Sequence, residues 1–296
     1  MATRENFWRF ALLAVPVSVF AVFVLWPMFD SFRYSLTDWN GFDDSPRFVG
    51  LENFRRIFTD PLFFNSLINT AIWMGAALAV PTIGGLALAL LLDSRVRGAR
   101  IFKSIFYLPI CLASVVVGQI WIWIFQPDWG LLNEAIRSAG HLSPKQFHWA
   151  WLAEPRTALA CVILAWSWQQ TGLNMVIFLA GLTSIPSELL EAAAIDNVPD
   201  WKKTLYIVLP MLRPATAVAV ALSMIGALKT FDILYIMTGG GPFHSSDTLA
   251  LFMYNESFQK YKMGYGSSIS VVLFLICVVI IVAYFRQVGK LGEIYD

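Results

Sequence analysis

Long apolar runs separated by short polar segments dominate the chain. Six runs are long enough to cross a bilayer, which takes about 20 mostly apolar residues. They are Trp8–Met28, Leu67–Leu92, Ser104–Phe125, Ala158–Leu182, Ala215–Met237 and Ser268–Phe285. Prolines at 16, 81 and 109 fall inside runs, which membrane helices tolerate when neighbours satisfy the freed carbonyl groups. The pattern predicts an all-α integral membrane protein with six transmembrane helices, and we expect residues 1–296 to form one domain.

Composition supports a membrane protein. Hydrophobic residues make up 57% of the chain and charged residues only 14%, which is little charge for a soluble domain of 296 residues. A net charge of +1 gives no reason to expect nucleic-acid binding. The three cysteines, at 111, 161 and 277, lie inside apolar runs, where we expect reduced packing residues.

Basic residues in short loops indicate the orientation, because such loops remain in the cytoplasm. The loop Asp93–Lys103 has four basic residues and one acid. This density predicts that both termini and the segment Glu191–Pro214 are cytoplasmic. The long loops 29–66, 126–157 and 238–267 then lie outside. In the first of them, Phe48–Phe54 predicts a turn that leads into a short helix ending near Asp60.

Recognisable catalytic motifs are absent from the sequence. A phosphate-binding loop of the form G-x-x-x-x-G-K-[ST] is missing, so we expect no ATP site in this chain. Three histidines, at 141, 148 and 244, lie in outer loops without the spacing of a metal site. We therefore predict no metal, no cofactor and no catalytic residue here.

Polar residues inside the apolar runs mark either a solute path or contacts between helices. Trp166, Gln170 and Asn174 share one helix face, where rings and amides suit a neutral polyhydroxy ligand. The other candidates on such a path are Gln119, Trp123, Lys229, Asp232 and Tyr235, and Thr230 and Phe231 accompany the last three in the fifth run. We expect Lys229 and Asp232, three positions apart, to form an ion pair. Tryptophans near the ends of runs can instead be interfacial, and amides can instead bond neighbouring helices.

A charged segment between the fourth and fifth runs predicts two short helices outside the hydrocarbon. Alanines at 192–194 favour a first helix, Asn197 suits a left-handed reversal, and Pro199 can open a second helix. Pro210 and Pro214 then end that helix and begin the next. An ordinary connector would be far shorter.

This segment resembles the EAA signature of permease subunits of binding-protein-dependent ABC importers. The resemblance rests on Glu191-Ala192-Ala193-x-x-Asp196, followed by Ile207-x-Leu209-Pro210-x-x-x-Pro214. Phe48–Phe54, Tyr107-Leu-Pro109 and Gly239–Pro242 are similar to the carbohydrate-uptake subfamily related to maltose-type permeases. Asn197 and Val198 stand where that family usually has glycine and alanine.

The resemblance implies a division of labour among several chains in a bacterial-type inner membrane. A second, non-identical permease would complete the pore, and two cytoplasmic ATP-binding subunits would bind ATP and magnesium. An extracytoplasmic solute-binding protein would deliver the solute. The coupling region 184–214 would contact an ATPase through Glu191, Ala192, Ala193, Asp196 and Asn197. The substrate would be a sugar or sugar derivative.

Three alternatives remain open from the sequence. The first is an importer permease for glycerol 3-phosphate or another polyol phosphate, because Lys229 could attract an anionic solute. The second is an ion-coupled secondary transporter, although that leaves the cytoplasmic helix pair without a role. The third is a polytopic membrane enzyme, for which the sequence offers no catalytic constellation.

Overall fold

The computed structural model of the protein describes residues 12–93 and 98–292, with side chains as far as residue 287. Over these residues the regular structure is helical, and the only strand-like feature is a β-bridge between Thr37 and Phe48. Residues 8–11 of the first predicted span, and Arg95 and Arg97 of the basic loop, lie outside the described residues. The described chain divides into two compact units, which are treated separately below. The prediction of one transmembrane domain stays a prediction.

Three helices are each long and apolar enough to cross a membrane alone. They are α1 (Leu12–Tyr34), α3 (Pro61–Asp93) and α13 (Met263–Gly292). Helix α3 has 33 residues, about 50 Å of helix against about 30 Å of hydrocarbon. It starts six residues before the predicted span, because Asp60 accepts a hydrogen bond from the Leu62 amide and Pro61 suits a first helical position.

Bent helix pairs account for the other predicted spans. The pairs are α4 (Ala99–Cys111) with α5 (Ser114–Ile124), α7 (Ala158–Thr183) with α8 (Ser187–Ile195), and α9 (Asp200–Met211) with α10 (Arg213–Lys229). Their bends are 105°, 74° and 66°. When each pair counts as one span, the described chain has up to six spans. The all-α fold is therefore confirmed.

Two predicted spans are wrong as continuous helices. The span 104–125 breaks at Leu112 and Ala113, whose backbones are extended. The span 215–237 breaks at Thr230, and a short helix α11 (Asp232–Met237) follows. Both breaks lie inside runs that are apolar on average, so the length and mean hydropathy of a run do not show that its helix is interrupted.

The remaining helices are short. They are α2 (Glu52–Ile57), α6 (Leu131–Gly140), and α12 (Leu249–Tyr254), which continues as a π-helical turn over Asn255–Gln259. The predicted turn before α2 is confirmed, because Gly50 has a φ of 60°. Glycine adopts this left-handed backbone without steric cost.

One unit holds the described residues up to Phe64 together with Phe252–Gln287. Polar bonds fix the loop after α1 within it: the Asn53 side chain donates to the carbonyls of Ser35 and Thr37 at 2.9 and 2.8 Å. The Tyr265 hydroxyl donates to Asp60 at 2.8 Å. This unit therefore joins the C-terminal end of α1, helix α2 and the start of α13.

Helix α7 is the centre of the other unit, Asn65–Leu251. Twelve of its 26 residues are buried, which makes it a core helix rather than a lipid-facing one. Small residues allow close approach on several sides: a Cβ at Gly172 would collide with the carbonyl of Phe106 on α4, and one at Gly181 would lie 2.7 Å from Ala215 on α10. Such contacts are the usual means by which membrane helices pack tightly.

Candidate functional site

The reversal between α8 and α9 is a complete C-terminal capping motif. The amide of Val198 donates to the Ala193 carbonyl at 2.9 Å, and the amide of Asn197 donates to the Ala194 carbonyl at 3.1 Å. Asn197 has a φ of 51°, so the predicted left-handed reversal at this residue is confirmed. Pro199 is the N-cap residue of α9, one position before the first helical position that was predicted for it. These bonds satisfy carbonyl groups that the end of α8 would otherwise leave open.

The exposed edge of this reversal combines charge with a small apolar surface. Glu191, Asp196 and Asn197 are exposed, and Ile195 is 79% exposed. Ile195 was not among the predicted residues, although its position at the end of α8 could have indicated it. An edge of this kind can insert into a cleft of another protein.

The two predicted coupling alanines differ in burial. Ala192 is exposed, whereas Ala193 is 5% exposed and faces its own chain. A partner that meets this edge would therefore contact Ala192. Ala193 contributes instead to the internal packing of α8.

A second candidate site is a cleft of about 200 Å³ at two helix breaks. One break lies between α4 and α5, and the other between α10 and α11. The lining residues are Ser114, Trp166, Gln170, Gly226, Lys229, Thr230, Phe231 and Asp232. Irregular backbone at membrane depth is tolerated where it is buried in protein or lines a cavity, and transporters place binding sites at such breaks.

Side chains satisfy the carbonyl groups that these breaks release. The Gln169 amide donates to the Leu112 carbonyl at 2.8 Å. At the other break, the Thr230 hydroxyl donates to the Gly226 carbonyl at 2.7 Å, and the Trp73 indole donates to the Ala227 carbonyl at 3.2 Å. Specific hydrogen bonds therefore stabilise both breaks, and with them the cleft that the breaks form.

The cleft brings together four residues predicted from two separate stretches. Trp166 and Gln170 come from α7, and Lys229 and Asp232 come from the two sides of the Thr230 break. Trp166 is 2% exposed and packs against Trp73, with ring centroids 5.5 Å apart. It therefore forms a fixed wall, and Gln170 presents an amide beside it.

The predicted ion pair between Lys229 and Asp232 is wrong: within the described residues, neither side chain forms an ion pair. Thr230 has a ψ of 118°, so its backbone is extended. The three-residue spacing places two side chains on one face only when the helix is continuous. Both charged residues are exposed at the cleft instead.

The other predicted path residues lie outside the cleft lining. Asn174 is buried and donates to the Ser223 hydroxyl on α10 at 3.1 Å, which is a contact between helices. Gln119 and Trp123 are exposed on α5. Tyr235 stacks on Phe231, a residue of the cleft lining, at 5.3 Å between ring centroids.

Sequence reasoning missed two lining residues, Ser114 and Gly226. Each lies at or within one turn of a helix break, so their common signal is the break itself. Among the described residues, no group of three or more His, Cys, Asp or Glu side chains could hold a metal ion.

Comparison with known families matches residues 82–288 to the family described as binding-protein-dependent transport system inner membrane component. This range contains the cleft and the reversal at Asn197, and it covers more than half of the chain.

Several named relatives align over nearly their whole length. A probable ABC transporter permease of Pyrococcus horikoshii is 37% identical, covering 93% of this chain and 91% of the relative. The sn-glycerol-3-phosphate transport system permease of Yersinia enterocolitica is 33% identical over 96% and 95%. A probable starch degradation products transport system permease of Thermoanaerobacterium thermosulfurigenes is 31% identical over 94% and 92%.

A solved structure shares the fold. It is a chain of a bacterial alginate ABC transporter in complex with an alginate pentasaccharide-bound periplasmic protein. The TM-score is 0.84 at 19% identity, covering 97% of this chain and 96% of that chain. At this identity the likeness concerns the fold alone.

Proposed function

The chain belongs to the family of binding-protein-dependent transport system inner membrane components, and we propose that it is a pore-forming subunit of an ATP-driven importer for a sugar or sugar derivative. The observation that carries this proposal is the continuity between the exposed reversal and the cleft. Helix α8 follows α7, which supplies Trp166 and Gln170. Helix α9 leads into α10, which supplies Gly226 and Lys229. Displacement of the reversal is therefore transmitted to both walls of the cleft.

Partner subunits supply what this chain lacks. Two ATP-binding subunits bind ATP and magnesium, and each receives an exposed edge such as that formed by Glu191, Ala192, Asp196 and Asn197. A second, non-identical permease completes the pore, and an extracytoplasmic binding protein delivers the solute. ATP and the loaded binding protein must bind one pore state more tightly than the other, because equal affinity for both states shifts nothing.

The cleft suits a neutral sugar by its mixture of rings and hydrogen-bonding groups. Trp166 and Phe231 can cover the C–H faces of a sugar ring. Gln170, Ser114 and Thr230 can exchange hydrogen bonds with hydroxyl groups. One relative is named for starch degradation products, which supports this substrate class.

A second candidate substrate is glycerol 3-phosphate or another polyol phosphate. It is favoured by Lys229, which lines the cleft and forms no ion pair within the described residues. A relative named for sn-glycerol-3-phosphate transport points the same way. Asp232 at the same cleft counts against an anionic solute.

The proposed location is the inner membrane, with both termini in the cytoplasm. The support is the basic loop Asp93–Lys103, since loops dense in lysine and arginine remain on the cytoplasmic side. This orientation places the α8–α9 reversal on the side where ATP is available.

Solute uptake by the reconstituted importer tests the role of the cleft. We expect Gln170→Ala to lower the rate of sugar uptake about fivefold, the factor for one lost hydrogen bond of about 1 kcal/mol. Lys229→Gln should leave sugar uptake nearly unchanged if the solute is neutral, and should abolish uptake if it is a phosphate ester. The matched control is Gln119→Ala, an exposed glutamine outside the cleft lining. Equal effects of Gln170→Ala and Gln119→Ala would contradict the proposed site.

A further inference from the structure

The first half of the broken third span, α4, has a basic stripe that the transport function does not use. Arg100, Lys103, Ser104 and Tyr107 follow the spacing i, i+3, i+4, i+7 and so share one helix face. Together with Val176 of α7 they line an open cleft of about 370 Å³. This cleft is separate in its lining from the one at the helix breaks.

Close packing of α4 on α7 creates this cleft. Gly172 allows the backbone at Phe106 to lie directly on α7. A side chain at position 172 would collide with the Phe106 carbonyl. Val176 lies one turn further along α7 and forms an apolar floor. The basic face of α4 then forms the wall above an apolar base.

Both cations of the stripe lack a carboxylate partner. Within the described residues, neither Arg100 nor Lys103 forms an ion pair, and no acidic residue lines the cleft. Helix α7 carries no charged residue at all. The Ser104 hydroxyl donates to the Arg100 carbonyl at 3.1 Å, so it lines the cleft without a free hydrogen to donate. The two cations and the Tyr107 hydroxyl form a donor set that suits a phosphate group.

An exposed apolar face lies beside the basic stripe on the same helix. Ile101, Ile105 and Leu108 are 66%, 56% and 60% exposed. A helix with a basic face and an exposed apolar face is typical of the membrane interface, where cations meet headgroups and apolar side chains enter the acyl region. A soluble anion would not explain this apolar face.

We propose that the cleft formed by Arg100, Lys103, Ser104 and Tyr107 binds the phosphate headgroup of an anionic membrane lipid. The guanidinium and ammonium groups contact the phosphate, and the acyl chains run along Ile101, Ile105 and Leu108. Basic pockets between transmembrane helices recognise anionic headgroups by the same chemistry.

Thermal unfolding of the purified full chain in neutral detergent micelles tests this site. Phosphatidylglycerol should raise the Tm of the wild type, and phosphatidylcholine should not. Arg100→Gln with Lys103→Gln should raise the phosphatidylglycerol fraction needed for half of this shift at least tenfold. Arg100→Lys with Lys103→Arg should retain the response, because both charges remain. The matched control is Lys145→Gln with Arg156→Gln, which removes the same two charge types at exposed positions outside the cleft.

Two results would overturn the proposal. One is an equal response of the wild type and the neutralised variant to phosphatidylglycerol. The other is an equal Tm shift of the wild type with inorganic phosphate or glycerol 3-phosphate, which would assign the cleft to a soluble phosphate. If the neutralised variant cannot be recovered, the lipid retained by the wild type decides: enrichment of phosphatidylglycerol over phosphatidylcholine supports the site, and equal retention refutes it.

Discussion

Asn197 shows how one residue sets the shape of the reversal between α8 and α9. Its left-handed backbone, with a φ of 51°, directs the amides of Asn197 and Val198 back to the end of α8. Glycine adopts this conformation freely, and asparagine is among the few other residues that visit it routinely. The reversal therefore survives although the resembling family usually has glycine here, and the sequence was sufficient to predict it.

Substitution of Asn197 tests this conformational argument. Asn197→Ala should destabilise the reversal by about 1 kcal/mol, because a Cβ without a compensating polar group is costly in the left-handed region. Asn197→Gly should keep the reversal intact. Hydrogen exchange of the Val198 amide, which donates to the Ala193 carbonyl, reports the local opening. Identical exchange in the alanine and glycine variants would show that the left-handed backbone is not what holds this turn.

Lys229 and Asp232 show where reasoning from spacing fails. Their three-residue separation predicts a contact only along an unbroken helix, and Thr230 interrupts it. The interruption depends on bonds to carbonyl groups from Thr230 itself and from Trp73, which is distant in the sequence. The sequence was sufficient to predict that Lys229 and Asp232 belong to one site. It was not sufficient to predict how their side chains are placed relative to each other.

The interrupted helices follow the same principle. An apolar run predicts that a segment lies in the membrane, because the cost of transfer sums over its residues. It does not predict whether the helix is straight, because the cost of a break depends on partners elsewhere. Gln169, on a different predicted span, supplies such a partner to Leu112. Six apolar runs were therefore found, whereas the cleft that two of their breaks create was not.

Two adjacent glutamines have different roles: Gln169 stabilises the break between α4 and α5, and Gln170 lines the cleft. Gln169→Leu should lower the free energy of unfolding by about 1 kcal/mol, because the Leu112 carbonyl loses its hydrogen bond. Gln170→Leu should leave the Tm unchanged and lower uptake, because Gln170 lines the cleft. Thermal unfolding of both variants in detergent, beside uptake in vesicles, checks this division. A lower Tm for Gln170→Leu alone would reverse the two assignments.

The whole chain connects an exposed reversal to a cleft through two bent helix pairs. Helix α8 is bent 74° from α7, and α9 is bent 66° from α10. Packed helices move as rigid bodies more readily than they deform, so a force on the reversal displaces α7 and α10 together. The bonds at Asn197 keep α8 and α9 in one orientation during that movement. The proposed coupling edge and the proposed solute site are then connected by α7 and α10.

Reversing the charge of Glu191 tests this connection in the assembled importer. Glu191→Lys should abolish ATP-driven uptake while the chain still inserts in normal amount, because an ammonium group then replaces the exposed carboxylate that meets the partner. Glu188→Lys is the matched control, since it makes the same change one turn earlier on α8, and we expect a smaller loss. Uptake and ATP hydrolysis in proteoliposomes, with immunoblots for insertion, measure the effect. Equal loss in both variants would point to the net charge of α8, and normal uptake by Glu191→Lys would remove this residue from the coupling surface.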